Sequence, residues 1–149
     1  MKKIAILSAV MLVGTGIAFA SSLTVPFFLD SGVAVSGSLT PSSGSSTFIA
    51  LKNNTEGEIE VFVTYTRNDG SDVTPDANSF TLLANQTLGF RPFVDDTGAE
   101  GPGAVVPNAE FNRGSAKFEW VGGEPTDIQG RLAEYQTNGS FSYLLPPGI

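Results

Sequence analysis

The side chains best suited to chemistry lie in two acidic stretches. NDGSDVTPD brings together Asn68, Asp69, Asp72 and Asp76, and DDTGAE brings together Asp95, Asp96 and Glu100. Calcium takes oxygen ligands from carboxylates, amides and loop carbonyls. Asp69, Asp72, Asp76, Asp95 and Asp96 are therefore the candidate calcium ligands. Neither stretch has the ligand spacing of an EF-hand loop. Turn formation alone explains Asn68-Asp69-Gly70, because these residues tolerate positive φ.

Other chemistries find less to use. The chain has no His and no Cys. Ser-His-Asp and Cys-His nucleophiles are thereby excluded, along with the commonest general base. Lys52 and Lys117 are the lysines beyond the N-terminal leader, and neither sits in an S-x-x-K motif. Glycoside hydrolysis needs two carboxylates flanking a cleft, and no acidic pair is singled out by its spacing. Sugar binding needs aromatic platforms, for which Phe118, Trp120, Tyr135, Phe141 and Tyr143 are candidates. Their place in alternating strands makes them core residues first. Phe62 differs, since it falls on the face that carries Glu58, Glu60 and Thr64. Arg91 is placed to pair with the carboxylates of the following loop. The N-x-S/T matches at Asn53, Asn85 and Asn138 read as turn residues.

The elements that must position these groups are strands. Ile59, Val61, Val63 and Tyr65 alternate with Glu58, Glu60, Thr64 and Thr66, the pattern of a strand with one buried face. Further strands are predicted over Thr47–Lys52, Ser79–Leu83, Thr87–Phe93, Ser115–Val121, Asp127–Tyr135 and Ser140–Leu145. Asn138-Gly139 is a hairpin signal before the last of these. With the N-terminal run LTVPFFLD, the count reaches about seven or eight. It predicts an all-β, antiparallel two-sheet β-sandwich.

The N-terminus carries the marks of an export signal. Lys2 and Lys3 precede the apolar run Ile4–Val13, and Ala18-Phe19-Ala20 is an A-x-A cleavage site. Three segments are expected: a cleaved leader over 1–20, a strand plus Gly/Ser-rich flexible linker over 21–46, and a sandwich domain over 47–149. Loss of Lys2 and Lys3 takes the net charge from −7 to −9. That charge opposes binding to nucleic acid and to anionic membranes. No second apolar stretch is long enough to cross a bilayer, so the cleaved chain is expected in the periplasm, at the cell surface or outside the cell.

The order FIALKN, turn, EIEVFVTYT, turn, FTLLANQTLGFRP, followed by SAKFEWV, IQGRLAEY and SFSYLL, resembles the β-sandwich of sensory-rhodopsin-transducer-like proteins over residues 47–145. The resemblance implies a soluble, oligomeric, non-enzymatic sandwich. The export signal and the Ser/Gly-rich extension depart from that family, so only the fold is carried over.

The run LTVPFFLD leaves two readings open. Leu23, Val25, Phe27 and Leu29 alternate onto one face and are expected to be buried, and Pro26 places the strand at a sheet edge. The strand pairs with its own sandwich, or it crosses to a second copy on the tether 36–46. The expected function is that of an exported, non-enzymatic structural or interaction protein, self-associating through Leu23, Val25, Phe27, Leu29 and Phe62. A small carbohydrate- or calcium-binding module is the alternative.

Overall fold

The computed structural model describes residues 20–35, 38–96, 100 and 106–147. Within them lie eight strands: β1 (Ala20–Leu29), β2 (Ser45–Asn53), β3 (Ile59–Thr66), β4 (Ser79–Leu82), β5 (Thr87–Phe90), β6 (Arg113–Val121), β7 (Ile128–Gln136) and β8 (Gly139–Leu145). They form two four-stranded sheets, ordered β1-β6-β3-β4 and β5-β2-β7-β8. Every pairing is antiparallel. The expected two-sheet sandwich is the fold.

Alternation builds the core. Val61, Val63 and Tyr65 of β3 face Ile49 and Leu51 of β2 across a filling of Phe80, Phe90, Phe118 and Trp120, all buried. Phe80, Phe90 and Phe118 pack edge to face with centroids 5.9–6.5 Å apart. That geometry sets the positive ring edge against the negative face. Burial pushes the Tyr65 phenol well above its ordinary value, and the charges of Asp30 and Glu100 push the same way. Its hydroxyl donates to the Pro107 carbonyl at 2.9 Å. The loop after β5 is thereby fastened to the sheet.

Turn chemistry closes the ladders. Gly70 takes φ +85° in the turn after β3, and its N–H donates to the Arg67 carbonyl at 2.9 Å. Asn85 takes φ +57° between β4 and β5. Asn53 proves to be more than a turn residue. It is fully buried at the end of β2, its Nδ2 donates to the carbonyls of Gly57 and Leu83, and its Oδ1 accepts from Thr55. The last hairpin turns at Thr137-Asn138, one residue earlier than predicted, and Gly139 opens β8.

Two expectations are corrected. The first concerns β1. Its register on β6 shifts between Val25 and Phe28. A bulge of this kind swaps the two faces of a strand beyond it. Phe28 therefore takes the core place expected of Phe27. Phe28 is 1% exposed and Phe27 is 47% exposed, while Leu29 is half-buried. The second concerns the Gly/Ser-rich segment. It does not run free between β1 and β2. Ser31 and Gly32 donate to the Ser45 carbonyl at 3.0 and 2.7 Å, and Val33 and Ser42 bond back to Ser43 and Val33. Gly32 allows this reversal: a Cβ there would stand 2.8 Å from that of Pro41. The short strand expected at Val33–Val35 is a single bridge from Val35 to Ser38. The leader 1–19 lies outside the described residues. Among those described, no helix is long and apolar enough to cross a membrane.

Candidate functional site

The two sheets end on one side in β1 and β8, and β1 packs against β7 and β8 across the sandwich. Gly130 marks the contact, since a Cβ there would press on Leu23 and Leu145 at 2.6–2.9 Å. Near the other end of β1, Thr47 Oγ1 accepts from the Leu29 N–H at 3.1 Å and donates to its carbonyl at 2.9 Å. This side therefore presents two unpaired strand edges.

The β1 edge is closed off. Leu23 and Val25 are fully buried, each worth about 1.5–3 kcal/mol of burial. Pro26 offers no N–H, and the bulge beside it turns the edge away from a regular partner. Asp30, next in the chain, has no exposed surface. Its Oδ1 accepts from Arg91 Nε at 2.9 Å, and its Oδ2 accepts from the N–H groups of Phe93 and Val94 at 3.1 and 2.9 Å. Arg91 also donates to the Gly32 carbonyl at 2.8 Å and stands 3.5 Å from Asp96. Its own backbone N–H donates to Glu100 at 2.7 Å. This knot ties the end of β1 to the loop after β5. The pairing of Arg91 with a loop carboxylate was readable in the sequence. Asp30 carried no such signal, because a lone acid after an apolar strand looks like a solvated turn.

The β8 edge is open. Its sequence GSFSYLL has no charge and no proline, and every residue but Leu145 is exposed. Phe141 is 52%, Tyr143 40% and Leu144 66% exposed. Phe141 and Tyr143 lie on the face turned toward the core, yet they overhang its margin. Their rings stack at 6.5 Å with planes 4° apart. Partial burial and the nearby Glu134 raise the Tyr143 phenol. The expectation that these two aromatics are core is corrected. Strand alternation identifies a face, but it does not say whether an opposing strand covers it. Phe118 and Trp120 are buried as expected, and Tyr135 is half-buried against Phe48.

The acidic residues are dispersed. Asp69 Oδ1 accepts from the hydroxyl and N–H of Ser71 at 2.6 and 3.0 Å, which holds its carboxyl below the ordinary range. Thr74 does the same for Asp72. Asp76 and Asp95 are exposed, and Asp96 faces Arg91. Among the described residues no three acidic side chains stand together as a metal site. Residues 97–99 and 101–105 of the acidic loop lie outside those described. Phe62 is 38% exposed and lines a cavity with Glu58, Glu60 and Asp127.

No family model matches this chain, and no curated protein does. The crystal structure of Thermotoga maritima 1070 superposes on it with a TM-score of 0.51 and 12% identity, covering 87% of this chain and 97% of the other. At that identity the likeness establishes the fold alone.

Proposed function

We propose that this chain is an exported, non-enzymatic interaction protein whose β-sandwich self-associates by pairing β8 with β8 of a second copy. The observation that carries this reading is the exposed, uncharged, proline-free edge of Gly139–Leu145. Natural edge strands are blunted by charge, proline, bulges or cover, and β8 has none of these. Its pairing needs are unmet on one side. Two copies related by a two-fold axis would join their four-stranded sheets into one of eight. The stacked Phe141 and Tyr143 would meet the same rings of the partner. Charge supports the choice of place. A chain of net charge −7, or −9 once Lys2 and Lys3 leave with the leader, repels its own copies, and β8 is a strip on which two copies meet without opposed carboxylates. Export rests on the leader, and the periplasm, cell surface and extracellular space suit such a subunit equally.

The test is light scattering after size exclusion over a concentration series. The protein should run as a dimer or larger, and Leu144→Lys should return it to monomer with its far-UV circular dichroism unchanged. A wild-type protein that is monomeric at every concentration overturns the proposal. So does a Leu144→Lys variant that assembles normally. Export is checked separately by the mass of the protein recovered from its native cells, which should begin at Ser21.

A further inference from the structure

The outer faces of the two sheets carry opposite charge. On the β5-β2-β7-β8 sheet, Phe48, Ala50 and Lys52 alternate with buried Ile49 and Leu51, and Arg131, Ala133 and Tyr135 alternate with buried Gly130, Leu132 and Glu134. Register sets Ala50 opposite Arg131 and Lys52 opposite Gln129. The two cations are thus diagonal neighbours, about 7–8 Å apart at the backbone. Glu134 pairs with Thr47 and Phe141 on the core side, and no Asp or Glu stands on the outer face of these four strands. Lys52 donates to the Asn85 carbonyl, and Arg131 donates to the Ser142 hydroxyl at 2.7 Å. Among the described residues neither meets a carboxylate. Eight Lys and Arg, less the two in the leader, leave six basic residues against 15 acidic ones. Two of the six are therefore set apart on one face. Around them Leu39, Phe48, Tyr135 and Leu144 wall two shallow hollows that adjoin at Ala50 and Arg131.

The outer face of the β1-β6-β3-β4 sheet is the counterpart. Glu60 and Phe62 of β3 point outward, and exposed Glu58 precedes them. With Val121 and Asp127 they line an open hollow of about 480 Å³, and no Lys or Arg lines it. Phe62 and Val121 are 38% and 63% exposed. Lys117 and Glu119 neutralise each other at 2.7 Å. Arg113 stands six residues from Glu119 along β6, about 20 Å away. One face thus sets carboxylates around apolar side chains, and the other sets cations around them.

We propose that pairs of copies joined at β8 stack face to face, the Lys52–Arg131 face of one pair on the Glu58–Glu60 face of the next. This stacking rests on the β8 pairing proposed above. A two-fold axis through the β8 seam, normal to the sheet, leaves both cationic faces on one side of the pair and both acidic faces on the other. The two kinds of face point in opposite directions, so the contact is head to tail and builds an open stack rather than a closed ring. Charge sets the orientation, and Phe62 and Val121 bury apolar area against Phe48, Tyr135 and Leu144. A single exposed ion pair adds little, so an unpaired copy does not stack measurably. A joined pair engages two faces at once, and its second contact forms at high effective concentration.

Sedimentation velocity of the whole protein over a concentration series tests this, at about 50 mM NaCl and at about 1 M, where the screening length falls to about 3 Å. Species larger than the dimer should grow with concentration at low salt and give way to the dimer at high salt. Lys52→Glu combined with Arg131→Glu should stop at the dimer at low salt. Glu58→Lys combined with Glu60→Lys should stop there too. That second change lowers the net negative charge, so a general charge effect would instead raise association. All four substitutions together reverse both faces and should restore the larger species. Far-UV circular dichroism checks that each variant folds. A wild type that stops at the dimer at low salt overturns the stacking and leaves the β8 pairing standing. So do larger species undiminished at 1 M NaCl, a Glu58→Lys/Glu60→Lys variant that stacks as well as the wild type, or a fourfold variant that stays dimeric. A wild type that is monomeric throughout overturns both.

Discussion

β1 and β8 are edge strands on the same side of one sandwich, and they treat their exposed margins in opposite ways. β1 is locked at its core face by Leu23, Val25 and Phe28, interrupted at Pro26, bulged beside it, and tied down at Asp30. β8 joins the sheet through β7 alone and leaves an apolar, uncharged margin in the open. The difference teaches that an edge position does not decide whether a strand invites a partner. What decides is which groups remain unmet once the chain's own core is packed. For β1 few remain. For β8 a whole ladder does.

The largest effect is expected at the knot. Asp30→Ala leaves the buried Arg91 with the more distant Asp96 and strips the Phe93 and Val94 N–H groups of their acceptor, and breaking a buried pair costs about 3–5 kcal/mol. Urea unfolding measures it, and a loss below about 1 kcal/mol would mean that the knot does not hold β1. Next come paired truncations. Leu23→Ala should cost about 2–4 kcal/mol as a core cavity, while Tyr143→Ala, at a half-exposed overhang, should cost less than about 1 kcal/mol. Similar losses at the two sites would erase the contrast between the edges. Leu144→Lys should change stability by no more than about 0.5 kcal/mol while abolishing assembly. Pro26→Thr is the converse test. It restores an N–H to the guarded edge, and sedimentation velocity should detect association beyond that of the wild type. If none appears, the bulge guards β1 without help from proline.

The smallest effect is a pH dependence at the same knot. Desolvation raises the Glu100 carboxyl above its ordinary range. The folded state then holds this proton at a pH where the unfolded chain has released it. Stability from this group is present at acid pH and falls as pH rises through the raised value. Glu100→Gln keeps an acceptor for the Arg91 N–H without ionising. It should melt about 1 °C higher than the wild type at neutral pH, with the gain vanishing near pH 4. An equal gain at both pH values would place its origin elsewhere.

Much of this was legible in the residues. Alternation in EIEVFVTYT and SAKFEWV located β3 and β6 and their buried faces. Pro26 foretold an edge for β1. The face shared by Glu58, Glu60 and Phe62 was visible as an anomaly, and it proved to be one wall of a cavity. The bulge was not legible, because PFFL offers two adjacent phenylalanines and local pattern cannot choose between them. Neither was the zippered course of residues 31–35 and 38–46. Their Ser/Gly composition describes a free tether, but backbone bonds from Ser31, Gly32 and Val33 to Ser43 and Ser45 close it.

By itself the sequence determined the class of fold, the strand count, the exclusion of His- and Cys-based chemistry, and the acidic charge. Each follows from local periodicity or from composition, which need no knowledge of distant neighbours. The tertiary structure alone decided which apolar strand is spent on the core and which is left over. It also decided that Asp30 meets Arg91 and that the Trp120 N–H meets nothing. Those outcomes depend on pairings between residues far apart in the chain, and on where one sheet stops covering the other.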